Sequence, residues 1–271
     1  MASNPYATPT APVQDRDIGS QSADFIAGGR VVPAGHGWRW LVAGTQLVRA
    51  HPGAWIAASL AFIVLAVVLQ LIPFIGALAF MVLMPVFIAG FVLGCEAVDA
   101  GAPLAFNHLF AGFGHPRRAA LLGLGALQVL ATAVMVGAMF AIVGFNFGQF
   151  GARTLLGILV YATLATVYLM AMWFAVPLVV LANRGVSAAL TESLRSTTRN
   201  WLPFTVYSAI IALICLALML VVGAVWGGGF VLGRVGMLVV LVPIVAVFVV
   251  LGFAIAMASL YASYRDIFHR R

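Results

Sequence analysis

The chain has 271 residues, of which 64% are hydrophobic and only 8% charged, whereas an ordinary soluble domain carries about 25% charged residues. Its net charge of +7 rests on 14 basic residues, all of them arginine. They lie beside apolar runs rather than in one patch, and no nucleic-acid-binding motif accompanies them, so a water-facing globular fold and a nucleic-acid partner are both excluded.

Residues 1–36 are rich in Ala, Pro, Ser and Gly with little periodicity, which predicts a disordered tail. The remainder, 37–271, is expected to be a membrane domain. Its first segment places Trp40, Leu41, Gly44, Leu47 and Val48 opposite Arg39, Gln46 and Arg49, the pattern of a helix lying in the membrane interface. Apolar runs at 54–72 and 75–95 follow, separated by Pro73-Phe74-Ile75-Gly76, a signal for a tight hairpin. The run that begins near Ala54 is expected to be a span and not a cleavable signal peptide.

A second polar segment puts Phe106, Leu109, Phe110 and Phe113 at i, i+3, i+4 and i+7, one apolar helical face. Runs at 119–143 and 154–182 come next. In the third such segment Leu190, Leu194 and Trp201 share a face, with Glu192, Arg195, Ser196 and Arg199 on the others; runs at 203–226 and 238–263 complete the chain. None of the six runs contains Asp, Glu, Arg or His. Each is long enough for about 20 residues to cross a hydrocarbon core of about 30 Å, and none shows the alternation of a barrel strand. The fold class is therefore all-α, a polytopic membrane protein with six transmembrane helices.

Taking the connections alternately inside and outside, 12 arginines fall on one side and only Arg153 and Arg234 on the other. Arginine-rich short loops stay in the cytoplasm, so both termini are expected there, with a bacterial inner membrane as the location. Sliding the chain on itself by 84 residues superimposes Gly101 on Gly185, Phe106 on Leu190 and Phe110 on Leu194; an offset of 64 brings Gly37 to Gly101 and His51-Pro52 to His115-Pro116. This suggests three parallel units, about 37–98, 101–182 and 185–266, each an interfacial helix followed by a transmembrane hairpin.

Gly37-Trp38-Arg39-Trp40, Ile72-Pro73-Phe74-Ile75-Gly76, Pro85-Val86-Phe87-Ile88-Ala89-Gly90, Leu109-Phe110-Ala111-Gly112-Phe113 and Tyr264-Arg265-Asp266-Ile267-Phe268 resemble a bacterial inner-membrane family with no assigned function. The resemblance covers roughly residues 37–268. More remotely, the helix-plus-hairpin layout is similar to the membrane domain attached to some glycerophosphodiester phosphodiesterases. That similarity implies a layout and no activity, because the soluble phosphodiesterase domain has no counterpart here.

Candidate sites are sparse. Glu96 and Asp99, at the cytoplasmic end of the second run, are expected to form ion pairs with Arg117 or Arg118 at the headgroups. With Cys95, His108 and His115 they make a weaker candidate for a metal site, since their spacing matches no ligand motif. Pro85, Pro177 and Pro243 each free a backbone carbonyl inside an even-numbered span, as some transporter sites do, but proline also merely kinks such helices. Gln70 and Gln128 suit interhelical hydrogen bonds. Gly227-Gly228-Gly229 lacks the lysine and helix start of a phosphate loop. Cys95 and Cys215 imply no disulfide framework.

The residues thus point to a non-catalytic protein without cofactor or metal, acting through its cytoplasmic helices on membrane lipids or a protein partner. Arg39, Arg49, Arg117, Arg118, Arg195 and Arg199 are the expected contacts. A passive or weakly coupled transporter of a neutral or lipid-like solute is the alternative, and an enzyme the third reading.

Overall fold

A computed structural model of the chain describes residues 25–144, 151–227 and 229–270, and among these the fold is all-α. A first helix, α1 (His36–Ala50), leads into the hairpin α2 (Pro52–Gln70) and α3 (Ile75–Asp99). A 3-10 turn (Phe106–Phe110) and α4 (Ala111–Gly114) precede α5 (Arg118–Val143), α6 (Ala152–Trp173) and α7 (Ala175–Val180). Then come α8 (Val186–Arg199), α9 (Trp201–Gly227) and α10 (Gly229–Phe268), the last interrupted at Gly233, where φ is 67°.

Six stretches are long and apolar enough to cross a bilayer: Pro52–Gln70, Ile75–Asp99, Arg118–Val143, Ala152–Val180, Trp201–Gly227 and Val235–Phe268. The protein is a multi-pass membrane protein. The sixth stretch has 34 residues, about 51 Å at 1.5 Å per residue, far more than the hydrocarbon core needs. Its C-terminal turns therefore reach out of the lipid.

A short helix precedes each odd-numbered span, and each packs on the hairpin before it. The 3-10 turn lies on α2 and α3, α8 lies on α6 and α7, and α1 closes the circle against α9 and α10. The close approach needs small residues. A Cβ on Gly112 would stand 2.1 Å from the Val86 carbonyl oxygen, one on Gly90 2.5 Å from the carbonyls of His108 and Leu109, and one on Gly44 2.5 Å from Ser259 Oγ. The register is regular as well. Adding 84 to Gly90 and Leu109 gives Phe174 and Ser193, which are themselves joined by a hydrogen bond from the Phe174 N–H to Ser193 Oγ (2.9 Å).

That hydrogen bond also explains the break in the fourth span. Helix α6 stops at Trp173 and α7 starts at Ala175, with Pro177 removing one more donor. Ser193, fully buried, accepts from the Phe174 N–H and donates to the Met170 carbonyl (2.9 Å). The Phe174 N–H and the Met170 carbonyl, parted by the break, are thus both satisfied by α8, as the interior of a membrane protein demands.

The centre of the bundle is filled with rings. Phe62 stacks on Phe253 at 4.8 Å between centroids and meets Phe87 and Phe91 edge-on, while Phe91 stacks on Trp55. Trp55, Phe62, Phe87 and Phe91 are all buried. These rings interdigitate at the offset and T-shaped geometries that aromatic pairs prefer.

One boundary differs from the sequence reading. Residues 1–24 lie outside the described residues, but 25–35, assigned to the disordered tail, form an ordered strap. The Ile26 N–H donates to the Phe268 carbonyl and the Arg30 N–H to that of Ile267 (2.7 and 2.9 Å). Phe25 stacks on Phe268. Small-residue composition and the lack of periodicity predicted disorder; what orders the strap is hydrogen bonding to distant groups, which composition does not reveal.

Candidate functional site

Polar and charged groups gather at one end of the bundle, where the short helices, the strap and the end of α10 meet. Asp266, buried in the last turn of α10, is the hub. Its Oδ2 accepts from Trp40 Nε1 (2.9 Å) and His36 Nδ1 (2.6 Å), and Oδ1 pairs with Arg30 Nη2 (3.0 Å). A carboxylate only accepts, so His36 donates through Nδ1 and presents Nε2 to Arg39 Nη1 at 3.2 Å. Asn200, also buried, accepts from the Val32 N–H (2.8 Å) and donates to the Arg30 carbonyl (2.9 Å). Glu192 accepts from the Gly28 N–H (2.8 Å) and pairs with Arg184 (3.2 Å).

The acidic pair at the end of α3 is placed differently from expectation. Asp99 Oδ2 accepts from Arg265 Nη1 and from the Tyr261 hydroxyl, each at 3.1 Å. Arg117 or Arg118 was the expected partner; Arg117 instead holds the Asn183 side chain and backbone carbonyl, and Arg118 is exposed. Asn183 adopts φ 54°, a conformation that Asn tolerates better than most residues. Sequence proximity favoured Arg117 or Arg118; the packing brings Arg265 of the sixth span to Asp99 instead. Glu96 is half-buried nearby and is engaged in an interaction of its own.

Among the described residues, no three of the groups weighed as metal ligands converge to hold an ion. Cys95 is buried in α3, His108 bonds the backbone of Ala105 (3.0 Å), and His115 Nδ1 accepts from the Arg117 N–H (3.1 Å). Partial burial and the Arg117 charge hold the His115 pKa below its usual value.

Among the expected lipid or partner contacts, Arg39, Arg49, Arg118, Arg195 and Arg199 are exposed, while Arg117 is half-buried. Arg199 also reaches the Gly29 carbonyl at 3.5 Å. Exposed aromatic side chains share their elements: Trp38 on α1, Phe106, Phe110 and Phe113 in the second segment, and Trp201 after α8. The three short elements use their apolar faces differently. On α1 the residues Trp40, Leu41, Gly44 and Val48 are buried against the spans. On α8 the buried face is Ala189, Ser193, Ser196 and Thr197, leaving Leu190 and Leu194 half-exposed and Trp201 exposed.

Helical spacing singles out Arg39, Arg49, Arg195 and Arg199 in the sequence, whereas Asp266, His36, Arg30 and Asn200 escape it. Asp266 sat in a quoted motif, and an acidic residue just beyond an apolar run was the available signal. Compared with protein-family models, curated proteins and solved structures, the chain matches none of them.

Proposed function

We propose that this is a non-catalytic inner-membrane protein, with both termini cytoplasmic, that works through its arginine-rich face on anionic membrane lipids or on a protein partner at that surface. The observation that carries the reading is the shared layer of exposed arginines and exposed aromatic rings on the short helices. Guanidinium groups match phosphate geometry bidentately, and aromatic rings settle at headgroup depth. Each such arginine contributes about 1 kcal/mol of attraction to an anionic surface. The arginine asymmetry between the two sides supports the orientation.

Against a transporter stand the aromatic plug of Phe62, Phe87, Phe91 and Phe253 and the absence of ionisable groups other than Cys and Tyr in the six apolar runs, where ion-coupled carriers keep their coupling groups. The three helix-plus-hairpin units are copies of one ancestral unit. Their circular packing and common register support this, because head-to-tail contacts that close after a fixed rotation form a ring.

The test is genetic and topological. Cysteines near Gly148 and Gly228 react with an impermeant thiol reagent from outside and one near Gly185 does not. In a chain that inserts this way, replacing Arg195 and Arg199 by Gln impairs complementation of a deletion strain, while Gln70→Leu or Gln128→Leu matters little. Proton- or sodium-driven solute uptake in liposomes, abolished by Gln70→Leu or Gln128→Leu, would overturn the reading.

A further inference from the structure

Between α9 and α10 lies an open groove of about 1250 Å³, whose walls include Leu41, Trp173, Tyr207, Cys215, Pro243 and Phe253. Small-molecule pockets run to about 300–1,000 Å³, so the space exceeds what a compact solute requires. We propose that it holds the acyl tails of a phospholipid from the leaflet on the arginine-rich side, as a bound lipid and not a passing one.

Four observations converge on that occupant. The groove is bounded by two apolar spans, and no residue in the apolar window of the fifth is buried by protein, so it opens onto hydrocarbon. Its walls carry no Asp, Glu, Arg or His, which leaves nothing to desolvate or pair a polar solute. Along α9 it extends from Tyr207 to Leu218, 11 residues or about 16 Å. That is about half of a 30 Å hydrocarbon core, the depth of one leaflet.

Last, the end nearest the arginines is built for the headgroup level. Leu41 of α1 lies there, and Trp38, about one turn earlier on the same helix, is 55% exposed. Trp201 shares the face of Ser208, a groove residue seven positions on, and is 59% exposed. Tryptophan at this position marks the membrane-water boundary. The groove is a different surface from the arginine-bearing faces, so this inference and the proposed function can fail separately.

Filling the groove tests it. A Cβ at Gly252 meets nothing within 4 Å, and Gly252 and Ala212 both line the space, so Gly252→Leu with Ala212→Leu adds apolar volume to it. Gly137, equally free of neighbours but on α5, supplies the control Gly137→Leu. Full-length protein in mild detergent is analysed by native mass spectrometry for retained phospholipid. Wild type and control are expected to retain it, and the filled variant to bind it about tenfold more weakly (about 1.4 kcal/mol). Equal retention in all three, or equal loss in the control, would overturn the proposal. So would a dimer that the filled variant abolishes, since the occupant would then be a second copy. Independently of folding in the variant, a photoreactive residue at position 215 of the otherwise native chain is expected to yield more lipid adduct after detergent washing than one at Leu220. Equal yields, or a crosslink to another polypeptide, would contradict it.

Discussion

Single buried polar residues tie the strap to the bundle. Asn200 illustrates how much one side chain can carry: it satisfies the N–H of Val32 and the carbonyl of Arg30 at once. Truncating it strands a buried donor, a loss of about 1–3 kcal/mol. Asn200→Ala should therefore free the strap, read as faster amide exchange at residues 26–32 with the spans still protected. Asp266 plays the matching role for His36, Trp40 and Arg30. His115 adds a pH dependence whose sign is set by its lowered pKa. The folded turn resists protonation, so its contribution is present above about pH 6.5, the unperturbed value, and is lost as pH falls below it. The protection of the Arg117 amide, its exchange rate taken relative to the intrinsic rate at each pH, should fall between pH 7.5 and 5.5 as its acceptor on His115 is protonated, and His115→Asn should abolish that difference.

At the scale of elements, several of the short Gly-, Pro- and Phe-rich motifs of the sequence are packing devices. Pro85-Val86-Phe87-Ile88-Ala89-Gly90 and Leu109-Phe110-Ala111-Gly112-Phe113 are two halves of one contact, Gly90 lying under Leu109 and Gly112 over Val86. Ile72-Pro73-Phe74-Ile75-Gly76 is a hairpin turn in which the Ile75 N–H returns to the Pro73 carbonyl at 2.6 Å. Phe74 pays for it with φ 58° and ψ −57°, a γ-turn of the rarer, strained hand. Gly76 is required there because a Cβ would stand 1.7 Å from the Leu69 carbonyl oxygen. Gly112→Val should lower the unfolding midpoint in detergent by the equivalent of about 3 kcal/mol or more, since it overpacks against backbone. Gly114→Ala, whose Cβ meets nothing, should leave the midpoint unchanged.

For the whole molecule, the spans were legible because bilayer thickness imposes a run length that composition cannot disguise. The short helices were legible too, through periodicity. What periodicity could not supply was the partner of each face. Helix α8 shows this best: its leucines drew attention, yet Ala189, Ser193, Ser196 and Thr197 face the protein, because a close approach between helices favours small and hydroxyl side chains. The Asp266 and Asn200 contacts join residues more than 160 positions apart, beyond any local spacing rule. Local proximity likewise suggested Arg117 or Arg118 for Asp99, where the packing delivers Arg265.

Contact between the arginine face and anionic headgroups is the centre of the proposed function. The direct measurement is the relative association of spin-labelled phosphatidylglycerol and phosphatidylcholine with the reconstituted protein, by electron paramagnetic resonance, for wild type and for Arg39→Gln with Arg49→Gln and Arg195→Gln. Wild type should prefer the anionic lipid by about fivefold, the ratio that about 1 kcal/mol per arginine produces, and the triple variant should lose that preference while keeping its helix content. Equal association of both lipids with wild type, or an anionic preference that survives the three substitutions, would contradict it.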